Sequence, residues 1–142
     1  MSNLRVFANN AQAELISGIS AVATVIEVGN GEVANFPTSL TGGRYFMATI
    51  SDNTLLLNAR ESAWEIIKVT GVADAGGGNL NLTVVRGQEG TTAAGWIAGR
   101  LLSVRNTAGV MDAAFMHPSF DDILTDGDLV LLDGSGNVLY SC

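Results

Sequence analysis

Between residues 12 and 105 the chain is a succession of short runs rich in Val, Ile, Thr and aromatic residues, each broken by Gly, Asn or Asp. Short β-branched runs with frequent turn signals favour pleated strands joined to their neighbours by tight connections. Seven candidate strands follow, at residues 13–16, 24–28, 45–50, 55–58, 64–70, 80–86 and 100–105. The pattern predicts a mainly β fold, a small antiparallel sandwich or barrel. Gly29-Asn30-Gly31 marks a turn because Asn and Gly tolerate positive φ, as the hairpin turn types require, and Gly76-Gly77-Gly78-Asn79 does the same more loosely. Both read as chain reversals and not as phosphate loops.

Alternation sets the faces. Leu80, Leu82 and Val84 are expected to point inward against Asn81, Thr83 and Val85. In the run from Trp64, one face carries Glu65, Ile67 and Val69 and the other Ile66, Lys68 and Thr70, so apolar residues fall on both sides. Such a strand belongs in the middle of a sheet or at an interface.

The character changes after Arg105. Thr107 or Asn106 can cap a short helix whose stripe is Val110, Met111, Ala114 and Phe115, and His117-Pro118 ends it, since the residue before proline avoids the α region. A polar connector over 121–128 leads to an expected hairpin of residues 128–132 with 138–140 around Asp133-Gly134-Ser135-Gly136-Asn137. An isolated two-stranded ribbon is marginal in water, so it should dock on another surface, with another chain the favoured one. The expected organisation is a β body over 1–105 and a helix-plus-hairpin arm over 106–142.

Charge follows the same division. The chain holds 7 Lys and Arg against 14 Asp and Glu, net -7. All the basic residues lie at or before Arg105, whereas Asp112, Asp121, Asp122, Asp126, Asp128 and Asp133 follow it. A duplex or an anionic membrane repels such a chain, so neither nucleic acid nor membrane is an expected partner. Hydrophobic residues make up 47% and charged residues 15%, well under the usual share of about a quarter. That composition excludes wholesale disorder and suggests surface hidden in an assembly. The one cysteine, Cys142, allows no intrachain disulfide. No apolar h-region opens the chain and no run approaches the roughly 18 apolar residues of a membrane span, so it reads as made and kept in the cytosol until assembled or released.

The chemical inventory is thin. A nucleophilic triad has only His117 to draw on, with Ser119 and Asp121 nearest, and residues two apart on one loop rarely align as nucleophile, base and orienter. One His and one Cys cannot supply the ligands zinc takes. Asp133, Ser135 and Asn137 have the alternate spacing of a calcium loop, with Asp126 and Asp128 nearby, yet Val138 stands where the turn glycine belongs and no bidentate Glu follows. Glu61 and Glu65 are the nearest to a carboxylate pair for glycoside hydrolysis. Trp64 and Trp96 either stack on sugar rings or fill core and interface, the commoner fate of large aromatics. The sequon Asn81-Leu82-Thr83 falls within an expected strand and carries no weight. No catalytic, cofactor or metal set is expected.

The run Leu82-Thr83-Val84-Val85-Arg86-Gly87-Gln88-Glu89-Gly90-Thr91-Thr92-Ala93 resembles a signature of virion proteins of tailed bacteriophages. Around it stand further pieces similar to that family's recurring segments: Asn9-Asn10-Ala11, Phe36-Pro37, Tyr45-Phe46-Met47-Ala48-Thr49-Ile50 and Glu65-Ile66-Ile67-Lys68-Val69-Thr70. The resemblance covers about residues 8 to 105. It implies a structural and attachment module found at or near the N-terminus of tail-fibre and related tail proteins, with no catalytic set to carry over. Segment 52–63 is longer than the usual hairpin of that family, and no long fibre or receptor-binding domain follows. Read physically, Val84-Val85-Arg86 ends a strand, Gly87 and Gly90 permit a tight turn, Arg86 can pair with Glu89 across it, and Thr91 and Thr92 bond locally to backbone.

The expectation is a non-enzymatic structural component of a phage virion, a tail-associated adaptor or fibre-anchoring subunit, made in the host bacterial cytoplasm. Its partners would be copies of itself and other virion proteins, with trimers the symmetry the resemblance implies. A capsid decoration or head-fibre protein and a carbohydrate-binding module are the alternatives.

Overall fold

Most alternate positions of the strands are apolar, and the structure shows where that face goes. The computed structural model describes residues 4–55, 60–109, 132–133 and 138–139, and the chain divides into two compact units, Met1–Arg105 and Asn106–Cys142. In the first unit six strands, β1 (Gln12–Leu15), β2 (Val25–Gly29), β3 (Phe46–Ser51), β4 (Trp64–Gly76), β5 (Asn79–Gln88) and β6 (Leu101–Ser103), close into a barrel in the order β1-β2-β5-β4-β3-β6. All pairings are antiparallel. β3, β4 and β5 run as consecutive neighbours and β6 returns to lie beside β3, a Greek key. Pairing of β6 with both β3 and β1 makes this a barrel and not a sandwich.

The interior is filled by the alternating residues. Ala13 and Leu15, Ile26 and Val28, Phe46, Ala48 and Ile50, Ile67 and Val69, Leu82 and Val84, and Leu102 are buried in one cluster. Side chains fill a barrel this small, leaving no lumen, and each large aliphatic group contributes roughly 1.5–3 kcal/mol on leaving water. Leu82 and Val84 point in as expected, with Leu80 partly buried against the same core. β4 is central, hydrogen-bonded to β3 on one side and β5 on the other, and its buried residues are Glu65, Ile67 and Val69.

The turns follow the glycines. Gly76 pairs with Asn79, and Gly77 (φ 63°) and Gly78 (φ 86°) form the two-residue link between β4 and β5, with the double positive φ of a type I′ turn. β4 therefore runs to Gly76, beyond the expected end at Thr70. Asn30 does take positive φ, 56°, but no hairpin forms there, because the next strand, β3, is not a neighbour of β2. Gly31 is needed for another reason: a Cβ on it would overlap the Gln12 carbonyl oxygen and stand 2.9 Å from Ala13 Cα. The turn thus lays its backbone against β1, and Glu32 N–H donates to Gln12 O at 2.7 Å.

The expected strand at 55–58 lies outside the described residues except for Leu55, which is a bend. In the second unit Ala108 and Gly109 are helical, and β7 (Leu132–Asp133) pairs antiparallel with β8 (Val138–Leu139), Leu132 opposite Leu139 and Asp133 opposite Val138. The rest of the expected helix, and His117, Ser119, Asp121, Ser135, Asn137 and Cys142, lie outside the described residues.

Candidate functional site

The most elaborate polar structure in the described chain is inside the barrel, where β4 and β5 fall out of step. Ile66 pairs with Gln88 and Lys68 with Val85, so Arg86 and Gly87 together stand opposite Ile67. This is a β-bulge, which re-aims side chains and sharpens local twist. Gly87 accommodates it with a φ of 59°; a Cβ there would sit 3.1 Å from Thr91 O and 3.2 Å from Ala93 N.

The bulge brings Arg86 onto Glu65. Arg86 Nε donates to Glu65 Oε1 at 2.7 Å and Nη2 to Oε2 at 2.8 Å, a two-point pair with side chains 7% and 0% exposed. The guanidinium also donates through Nη1 to the carbonyls of Ser20 (2.7 Å) and Ala23 (3.1 Å), and through Nη2 to that of Ala94 (2.6 Å). All five donors an arginine owns are thereby used. The carboxylate in turn accepts from Gly87 N–H (3.0 Å), Ala94 N–H (3.1 Å) and Trp96 Nε1–H (2.9 Å). Loss of solvent pushes the Glu65 pKa up, but the hydrogen bonds from Arg86, Trp96, Gly87 and Ala94 outweigh it and hold the carboxyl below its ordinary value. Satisfaction on both sides is what makes a buried charge tolerable.

The network ties four segments: β4, β5, the β1–β2 connection at Ser20 and Ala23, and the β5–β6 connection at Ala94 and Trp96. Ile19 and Trp96 reinforce it by exchanging backbone hydrogen bonds of 2.8 and 2.9 Å.

This corrects the pairing expected within the turn. Arg86 does not bond Glu89; it faces inward by the same alternation as Leu80, Leu82 and Val84. Glu89 sits at positive φ, 51°, with its carboxylate 3.8 Å from Arg5 Nη2. Thr91 supplies the expected local bonding: its hydroxyl donates to Gln88 O at 2.7 Å and accepts from Ile66 N–H at 2.9 Å. Gln88 Nε2 reaches back to Arg86 O at 3.0 Å. The run from Arg86 to Thr91 is thus directed at its own barrel.

The other singled-out residues separate. Glu61 is held by Arg105, Nη1 to Oε1 at 2.9 Å and Nη2 to Oε2 at 3.0 Å, which lowers its pKa. Glu65 points into the barrel. Both acids are therefore held ionised by an arginine, the opposite of the raised pKa that a general acid needs. Trp96 is buried and bound to Glu65, whereas Trp64 is 54% exposed on the outer face of β4. Among the described residues no three His, Cys, Asp or Glu side chains cluster as metal ligands, and no helix is long and apolar enough to cross a membrane.

Sequence reasoning missed the Glu65–Arg86 pair, although a signal existed: each residue extends an inward alternation, Glu65 with Ile67 and Val69, Arg86 with Leu82 and Val84. Two opposite charges on inward positions of different strands are best accommodated where they meet. Comparison of the chain with models of known families finds no match, and comparison with curated proteins finds none.

Proposed function

We propose that this chain is a non-enzymatic structural component of a tailed-phage virion, a tail-associated adaptor or fibre-anchoring subunit that works by homo-oligomeric assembly. The observation that supports the reading most is what the phage-like signature does in this barrel. Arg86, Gly87, Gln88 and Thr91 direct their bonds to Glu65, the turn itself and β4, so the motif specifies a rigid body and not a reactive loop. A module recurring across virion proteins needs such a body to present itself to neighbours. The arm over 106–142, with six aspartates and no Lys or Arg, would reach a second subunit or receive a separate fibre.

Immunogold labelling of purified particles, with antibody raised against the recombinant chain, tests the assignment. Label at the tail or fibre base is the expected result. Label over the head moves the chain to the decoration or head-fibre class, and no label on particles contradicts a virion role. Deleting residues 119–142 should leave the barrel folded and abolish incorporation; normal incorporation removes the arm from the mechanism. Exposed Trp64 keeps a sugar-binding role open to test, and that reading predicts fluorescence quenching by cell-wall polysaccharides in the parent that Trp64→Phe abolishes.

A further inference from the structure

Val6 and Ala8 pack against the barrel core, so their alternates Arg5 and Phe7 face outward. Val6 N–H donates to Tyr45 O at 2.7 Å and Tyr45 N–H to Leu4 O at 3.0 Å, which sets Arg5 beside Tyr45 as parallel neighbours. Tyr45 has the outward parity of Met47, because Phe46, Ala48 and Ile50 fill the core. Lys68 stands opposite Met47 on β4, with the outward parity between Ile67 and Val69. Three segments distant in sequence thus bring their side chains to one outer patch. Its centre is the Tyr45 ring, with Lys68 Nζ 4.4 Å and Arg5 Cζ 5.8 Å from the ring centroid.

A ring face holds cations in place without neutralising them. Elsewhere on the barrel Arg86 and Arg105 are engaged by Glu65 and Glu61. At the patch the only carboxylate recorded among the described residues is Glu89, 3.8 Å from Arg5, and Lys68 pairs with none. Phe7, on the same side as Arg5, is 58% exposed. Two positioned cations beside an exposed phenyl ring suit a short segment that carries adjacent carboxylates and an apolar side chain.

The sequence holds one segment of that composition. Asp121-Asp122 is its only adjacent acidic pair, bracketed by Phe120 and by Ile123-Leu124, and it falls in the stretch beyond Arg105 that has six aspartates and no Lys or Arg. The geometry points to the patch of Arg5, Phe7, Tyr45 and Lys68 as the seat of residues 119–124 from a second copy. This rests on the reading of the arm as reaching another subunit, and it names the surface on which the arm lands. Patch and arm are different surfaces, so the contact is heterologous, and copies joined by it close into a ring where the rotation allows and do not pair face to face.

Charge exchange between two variants of the full chain tests the inference, read by sedimentation over a concentration series. The parent should associate reversibly, and more weakly at about 0.5 M salt than at about 0.05 M. Lys68→Glu alone, and Asp121→Lys with Asp122→Lys alone, should each weaken self-association by at least about tenfold, because like charges then meet. The aspartate variant alters no barrel residue, so it carries the test even if Lys68→Glu shifts the melting temperature. Mixed in equal amounts, the two should associate again, since the arm of each is complementary to the patch of the other. A parent that is monomeric at every concentration, variants that associate as the parent does, or a mixture that stays apart overturns the assignment. Particle labelling reports separately: association by this route in a chain absent from particles would remove the virion reading and keep the docking site, and labelled particles with a monomeric parent would do the reverse.

Discussion

Glu65 and Arg86, 21 residues apart in sequence, meet as a two-point ion pair inside the barrel, with Nε–Oε1 at 2.7 Å and Nη2–Oε2 at 2.8 Å. Their remaining bonds go to Gly87 N–H of the bulge, to backbone of the β1–β2 and β5–β6 connections and to the Trp96 indole, so the pair fastens one end of the barrel as well as two of its strands. The strength of the arrangement lies in completeness, because the same groups left half satisfied would oppose folding.

Acid should therefore loosen the barrel in a defined window. The Glu65 pKa is lower folded than unfolded, so its contribution is fully present above the unfolded carboxylate value, about 4.3, and disappears as pH falls from there through the folded value. Glu61, depressed chiefly by its Arg105 hydrogen bonds, acts with the same sign. Melting curves should show Tm flat above about pH 5 and falling below it. The fall should be shallower in Glu65→Gln, which has no proton to gain; an identical slope in parent and variant would count against the assignment.

Removing the indole donor isolates one strand of the network. Trp96→Phe keeps most of the apolar volume but leaves Glu65 Oε2 short of a bond, at a cost of roughly 1–3 kcal/mol in denaturant unfolding. Trp64→Phe, on the outer face, should stay within about 0.5 kcal/mol of the parent. The single tryptophan left in Trp64→Phe should emit at short wavelength and resist acrylamide.

Two glycines should refuse alanine for different reasons. Gly87→Ala forces a side chain into the left-handed region at the bulge and crowds Thr91 O, costing roughly 1–3 kcal/mol. Gly31→Ala drives a Cβ into the β1 backbone, which cannot swing aside as a flexible side chain would. Gly77→Ala, with open space around it and only the φ preference to pay, should cost about 1–2 kcal/mol. A Gly31→Ala variant as stable as the parent would show that the turn does not press on β1.

Much of the fold was legible in local pattern. The alternation at Leu80, Leu82 and Val84, the mixed faces of the Trp64 run and the Gly76–Asn79 turn each depend on residues close in sequence, and each appears in the structure. Closure was not legible, because the pairing of three-residue β6 with both β1 and β3 is a long-range event that no local period encodes. Asn30-Gly31 carried a hairpin signal for a turn that instead serves close approach to β1. The Glu65–Arg86 pair escaped because Arg86 has a nearer acid, Glu89, while the decisive criterion is which residues share the inward parity across two strands. For Asp133, Ser135 and Asn137 only the Asp133 backbone falls within the described residues.

A double-mutant cycle on Glu65→Leu and Arg86→Met, read by equilibrium denaturant unfolding, tests most directly whether the signature works as an internal fastening. Each single change strands a buried charge and should cost about 3–5 kcal/mol. The double variant should fall short of the sum by about 1–3 kcal/mol, while remaining less stable than the parent because the Gly87, Ala94 and Trp96 N–H groups lose their acceptor. Additive losses of under about 1 kcal/mol each would show that the two residues do not hold the barrel together and would contradict the account.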